Sequence, residues 1–134
     1  MVRNMADYTI RNLKEIEDSA VKFDLSPDLE ARFVGSTLDQ QSSGISYQRL
    51  APNVRMPFGH KHEQQEELYV LVAGSGRIKL DDEVVDVRQW DAVRIGKETM
   101  RCIEAGPDGL ELIAFGAPAT GHGDAQTTPG WWSD

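Results

Sequence analysis

The sequence predicts an all-β domain, a sandwich or barrel, and three observations carry that prediction. Candidate strands of about five to eight residues are separated throughout by turn residues. One unit, GRIKLDDEVVDV (76–87), reads as a β-hairpin: Ile78 and Leu80 alternate with Arg77 and Lys79, Asp81-Asp82 connect, and Val84, Val85 and Val87 return. No segment keeps a helical period long enough to build a second layer.

Taken in order, NLKEIEDS (12–19) places Leu13 and Ile16 at helical spacing among charges, enough for a short surface helix or turn. SPDLE (26–30) offers Ser26 as an N-cap and Pro27 at the first helical position, which predicts one helical turn. Strands are expected over 31–38, 44–50, 66–73, 91–95, 100–105 and 110–116, besides the hairpin, for eight or nine in all. GPDG (106–109) between the last two reads as a tight turn, with proline where its fixed φ is favoured. From Ala117 onward the chain is rich in Gly, Pro, Thr and Asp until it ends in GWWSD, a polar arm with an aromatic anchor.

At 134 residues the chain fits one domain. Fourteen basic against 22 acidic residues give a net charge of -8, and no basic cluster reverses it locally. That field repels phosphate backbones and anionic lipid, so no nucleic-acid or membrane partner is expected. The first twenty residues carry Asp7, Glu15, Glu17 and Asp18 and fit neither a signal nor a transit peptide, and no stretch approaches membrane-spanning length. A lone cysteine, Cys102, allows no intrachain disulfide, which points to the reducing cytoplasm and to a small buried hydrophobe.

The chemistry concentrates in FGHKHEQQEELYVLVAGSG (58–76). Residues two apart on a strand face one side, so His60 and His62 present both imidazoles to one space. Four residues separate His62 from Glu67, room for the chain to turn and begin the next strand with an inward carboxylate; Tyr69 and Leu71 would follow it inward. Two imidazoles and one carboxylate form a three-ligand set that leaves positions open on a divalent metal, whether iron, manganese, nickel, cobalt or zinc. The alternative for the same residues is a polar loop leading into a strand.

His60, His62, Glu67 and Gly74 match the first motif of the cupins, glycine, five residues, H-x-H, three or four residues, glutamate, six residues, glycine. The chain therefore resembles a small single-domain cupin, a double-stranded β-helix or jelly-roll barrel, over roughly residues 44–116. On that resemblance, 1–43 is an N-terminal strand and helical-turn segment packed on the barrel, 44–116 the barrel core and 117–134 a C-terminal arm. The leading glycine is replaced by Val54, with Asn53 beside it able to take the left-handed turn conformation. The second motif, glycine, five residues, proline, one, glycine, two, histidine, three, asparagine, falls in register on Trp90, Gly96, Glu98, Arg101 and Ala105, so every signature position differs. The fourth ligand of the family, a histidine, is thus Arg101, which stays protonated and is no metal ligand.

Two readings follow from that exchange. In one, the triad holds a metal and Arg101 reaches over it to grip a carboxylate or phosphate of the substrate. In the other, no metal binds and the guanidinium takes its place opposite Glu67. The resemblance implies a small-molecule ligand, a homodimer and, if the protein is an enzyme, a metal-dependent oxygenase, isomerase or lyase; the rival class is a non-catalytic binding or sensor module. Candidates for catalysis are Arg101 and Tyr47, and for substrate binding Arg101, Tyr69, Tyr47 and Arg49. Alternation groups Tyr47 and Arg49 with Ile45 on one face without saying which. On Arg101's strand, Ile103 is expected to share its face, with Met100 and Cys102 opposite. His122, in TGHGDA, is a further ligand candidate beside glycines, where a solvated loop histidine is the ordinary role. Trp131 and Trp132 are too apolar to leave exposed together, so the arm is expected to pack on its own barrel or on a second subunit.

Overall fold

The computed structural model describes residues 5–119 and 123–134. A single 3-10 turn (Leu13–Glu15) and a short helix, α1 (Ser19–Lys22), lead into eight strands: β1 (Leu29–Phe33), β2 (Gly44–Leu50), β3 (Phe58–His62), β4 (Glu66–Leu80), β5 (Glu83–Arg88), β6 (Ala92–Ile95), β7 (Arg101–Ala117) and β8 (Ala125–Pro129). Side chains start both helical pieces, because the first N–H groups of a helix have no partner within it. Asn12 accepts from Lys14 N at 2.9 Å, and Asp18 Oδ1 accepts from Ala20 N at 3.0 Å. The same Asp18 oxygen accepts from Ala31 N at 2.9 Å, which ties α1 to β1.

All strand pairs are antiparallel; the order is β1-β2-β7-β3-β8, and β4 pairs with β5, β6 and β7. β4 and β7 are the long spine, paired from Glu66↔Ala117 to Leu80↔Arg101. The register shifts between Leu71 and Ala73 and between Gly74 and Gly76, and such bulges bend strands and increase twist, which curls the sheet on itself. Leu50, Leu71, Ile78, Ile95 and Leu112 are almost wholly buried inside this curl. Each stabilises the fold by about 1.5–3 kcal/mol relative to leaving it exposed.

The expected hairpin is β4–β5, closed at Leu80↔Glu83 with Asp81 at φ 51. Elsewhere the structure corrects the boundaries. Residues 100–105 and 110–116 are parts of one strand, β7, and 66–73 runs on into the first hairpin strand, because the Gly-rich segments of β4 and β7 lie opposite one another as a bulge rather than ending the pairing. The strand expected over 31–38 begins at Leu29 and stops at Phe33, after which Leu38 N returns to Val34 O at 3.0 Å. The turn at 26–28 closes through a bond from Leu29 N to Leu25 O at 3.0 Å and leads directly into β1. The C-terminal arm contains a strand, β8, laid along β3 from Phe58↔Pro129 to His62↔Ala125. Its end packs on its own barrel. Trp132 is 6% exposed, with the Arg55 guanidinium 4.1 Å from its ring, and Trp131 lies on Gly59, where a Cβ would come within 2.7 Å of the indole.

Period-two alternation gives β1, β2 and β7 two distinct faces. Ser46, Gln48, Ala114 and Gly116 turn into a cavity, with Leu29, Ala31 and Phe33 of β1 beside them. The outer face holds an ion cluster in which Glu30 accepts from Lys14 and Arg32 at 2.6 Å and from Arg49 at 3.0 Å. Burial alone would raise the Glu30 carboxyl, but those three cations outweigh it and hold it at about 2 against an ordinary 4.5. A folded-state value below the unfolded one adds stability that is complete above pH 4.5 and is lost as pH falls toward 2. Urea unfolding should therefore show a falling midpoint between pH 5 and 3, and Glu30→Gln should flatten that slope while costing about 2 kcal/mol at neutral pH. An unchanged slope would remove Glu30 from the explanation.

Candidate metal centre

Three strands deliver the site. β3 carries Phe58, His60 and His62 on its cavity face, and β4 enters after a three-residue loop with Glu67 and Tyr69 on the same side. β7 starts at Arg101, directly opposite His60. These side chains form the floor of a cavity of roughly 1010 Å³.

Four groups converge on a single atom, Glu67 Oε1: His60 Nε2 at 3.1 Å, His62 Nε2 at 2.9 Å, Arg101 Nη1 at 2.9 Å and the Tyr69 hydroxyl at 3.4 Å. Burial would raise the Glu67 carboxyl, yet the hydrogen bonds and charge of His60 and His62 hold it down at about 2. The carboxylate is thus kept ionised. Arg101 is 1% exposed; its Nη2 donates to Gly96 O at 2.8 Å, and its Nε is buried with no partner among the described residues.

The ligand-type atoms of His60, His62 and Glu67 lie within 4.8 Å of one another. For metal–ligand distances of about 2.1 Å, ligands at right angles sit about 3.0 Å apart. The two imidazole-to-carboxylate separations, 3.1 and 2.9 Å, match that value, and the donor set suits a first-row divalent ion. By spacing and by chemistry the residues fit a metal.

Asp124, which the sequence reading did not single out, completes the arrangement. Its Oδ1 is 2.7 Å from His62 Nδ1, so the imidazole is held by one ring nitrogen while the other faces Glu67. Its Oδ2 accepts from Gln64 N at 2.6 Å and Gln65 N at 3.0 Å, fixing the loop that separates His62 from Glu67. Burial works against protonation of His62, but bonds to Glu67 and Asp124 prevail and raise its pKa. A carboxylate behind a ligating histidine sets its tautomer and orientation, and losing such a partner typically costs about 10–100-fold in metal affinity. If His60 and His62 hold a divalent metal, Asp124→Ala should weaken its binding by that factor in calorimetric titration with both imidazoles intact; unchanged affinity would assign Asp124 a purely structural role.

Of the other residues singled out from sequence, Tyr69 and Ile103 line the cavity with Arg101. The Cys102 thiol donates to Met56 O at 3.3 Å. Tyr47 and Arg49 do not line it. They share a face, as alternation requires, but it is the outer one: the Tyr47 hydroxyl donates to Glu111 at 2.5 Å, and Arg49 Nε donates to Glu30. The expectation that they reach substrate is corrected on that ground, since the sheet stands between them and the floor. His122 lies outside the described residues.

No protein-family model matches the chain. An uncharacterized protein of Methanocaldococcus jannaschii is 32% identical over 68 residues, 50% of this chain and 54% of that protein, so the chain spans about half the length of the curated relative it matches. Among solved structures, a cupin protein from Bacteroides fragilis superposes with a TM-score of 0.70 at 22% identity, covering 87% of this chain and 89% of that one. KdgF from Halomonas sp. gives 0.67 at 16% identity, covering 88% and 98%. Streptomyces Pac13 with uridine gives 0.70 at 15% identity, covering 93% and 92%. Motif, curled antiparallel sheet and these likenesses agree: the chain has the fold of a small cupin.

Proposed function

We propose that the protein holds a divalent transition metal at His60, His62 and Glu67 and uses the cavity above it to bind or transform a small anionic molecule. The observation that carries this is the convergence of both Nε2 atoms on Glu67 Oε1 at 3.1 and 2.9 Å, backed by Asp124 behind His62. When bound, the metal supplies Lewis acidity and open positions for water or substrate. Arg101 supplies a fixed cation at the floor, and Tyr69 a hydroxyl directed at the same carboxylate oxygen. The reaction classes open to such a site are oxygenation, isomerisation and elimination, and the fold alone selects none of them. One structural neighbour, Pac13, is described as a nucleoside dehydratase, which supports a small-molecule role without naming this substrate.

A specific observation favours a second reading. Arg101 Nη1 already stands 2.9 Å from the carboxylate oxygen a metal would use, so the guanidinium is a resident counter-cation and the cavity a metal-free binding site. Elemental analysis of the purified protein beside a His60→Ala, His62→Ala double variant separates the two. Divalent metal in the wild type and none in the variant is expected; no metal in either protein would establish the metal-free reading, and equal metal in both would place the ion away from His60 and His62. Cytoplasmic residence and homodimerisation belong to the proposal as well. The first rests on the lone buried cysteine, the second on the resemblance to small cupins. No helix among the described residues is long and apolar enough to cross a membrane.

A further inference from the structure

We infer that the natural ligand is a monocarboxylate with an apolar body, its carboxylate at the floor beside Arg101 and its body lying along the wall of β1 and β3 to the cavity mouth. The inference rests on the proposed reading of the floor as the anion-binding end and adds the class of molecule.

Charge at the floor sets the first half. Glu67 and Asp124 contribute two negative charges and Arg101 one positive. A divalent ion between neutral imidazole ligands brings the sum to +1, which a monoanion cancels. A dianion would leave a buried negative charge and a neutral ligand a buried positive one, and uncompensated buried charge is strongly disfavoured. Glu30, whose carboxylate lies on the outer face of β1, is already neutralised by Lys14, Arg32 and Arg49 and adds no charge at the floor. Arg101 also retains a buried Nε–H without a partner among the described residues, a donor that a ligand oxygen would satisfy.

The walls set the second half. Leu29, Phe33, Met56, Phe58 and Ile103 face the cavity. Ser46 and Gln48, polar residues of the same wall, are bonded to one another at 3.1 Å. At roughly 1010 Å³ the cavity is at the top of the range that takes drug-sized ligands, so a two- or three-carbon acid at the floor would leave most of the apolar wall in contact with water. At the mouth Phe33 is 60% exposed and Phe23 69%, apolar surface that a ligand body would cover.

Straight-chain monocarboxylates from acetate to octanoate, titrated calorimetrically into the metal-loaded wild type, test this, with hexanol and adipate as controls. Each methylene buried on the wall should tighten binding about fourfold, giving roughly 250-fold over the four methylenes from acetate to hexanoate. Hexanol and adipate should each bind about tenfold or more weakly than hexanoate. Phe33→Ser should flatten the dependence on length, whereas Arg101→Lys should weaken every acid alike. Affinity independent of chain length, equal affinity for hexanol and hexanoate, or no binding of any acid would overturn the inference. Repeating the series in chelator keeps the two readings apart. Length-dependent binding to protein that holds no metal would overturn the metal and the charge count that includes it, leaving the ligand class on the unpartnered Arg101 Nε–H and the apolar walls. Length-independent binding to protein that does hold metal would do the reverse.

Discussion

Replacing Gly74 with alanine is expected to destabilise the protein by about 3–5 kcal/mol, a fall of roughly 10–20 °C in thermal midpoint for a domain of this size. Gly74 has φ +74, where any Cβ is strained, and a Cβ built there would lie 2.0 Å from Gly109 O and 2.9 Å from Leu110 Cα. Those atoms are backbone of β7, the strand to which Gly74 is paired, so relief requires the β4–β7 spine to part at its bulge. Gly130 is the internal control. It also has positive φ, +67, but nothing lies within 4 Å of its Cβ position, so Gly130→Ala should cost only the conformational term, about 1 kcal/mol. Equal losses in the two variants would show that close approach to β7 is not what Gly74 provides.

Arg101→Met is expected to be as damaging, by about 3–5 kcal/mol, because it removes the cation from a buried pair and leaves the Glu67 carboxylate behind. Methionine also leaves Gly96 O without the donor it has at 2.8 Å. The variant carries a diagnostic that simple core damage lacks. With the guanidinium gone, a divalent ion meets no competing cation at Glu67 Oε1, so added metal should raise the thermal midpoint of Arg101→Met more than that of wild type. Differential scanning calorimetry with and without metal reads both effects. An identical metal-induced shift in the two proteins would mean that Arg101 and the metal do not share Glu67.

How much of this was legible in the sequence depended on whether the signal was local. His60, His62, Glu67 and Gly74 lie within one strand-loop-strand unit, and period-two alternation sufficed to bring the three candidate ligand side chains together. The weak second motif proved informative in its backbone. Trp90, standing where that motif has glycine, adopts φ 73, and Asn53, beside the missing first glycine, adopts φ 62. Both residues adopt the left-handed conformation that glycine takes most readily. Asp124 was illegible, because it meets His62 across 62 residues of sequence from a polar tail. β8 hid for a related reason: all five of its residues are exposed, so no apolar alternation marked it. Tyr47 and Arg49 show the limit of alternation itself. It groups residues on a face, and only the tertiary partners Glu111 and Glu30 reveal which face that is.

Anomalous scattering from a crystal grown with manganese or zinc, recorded at the absorption edge of the added metal, tests the central claim most directly. The account predicts one peak at the cavity floor within about 2.0–2.3 Å of His60 Nε2, His62 Nε2 and a Glu67 carboxylate oxygen. It also predicts that Asp124 stays on His62 Nδ1. A floor without a peak, with Arg101 Nη1 still bonded to Glu67 in a protein soaked at saturating metal, would contradict it.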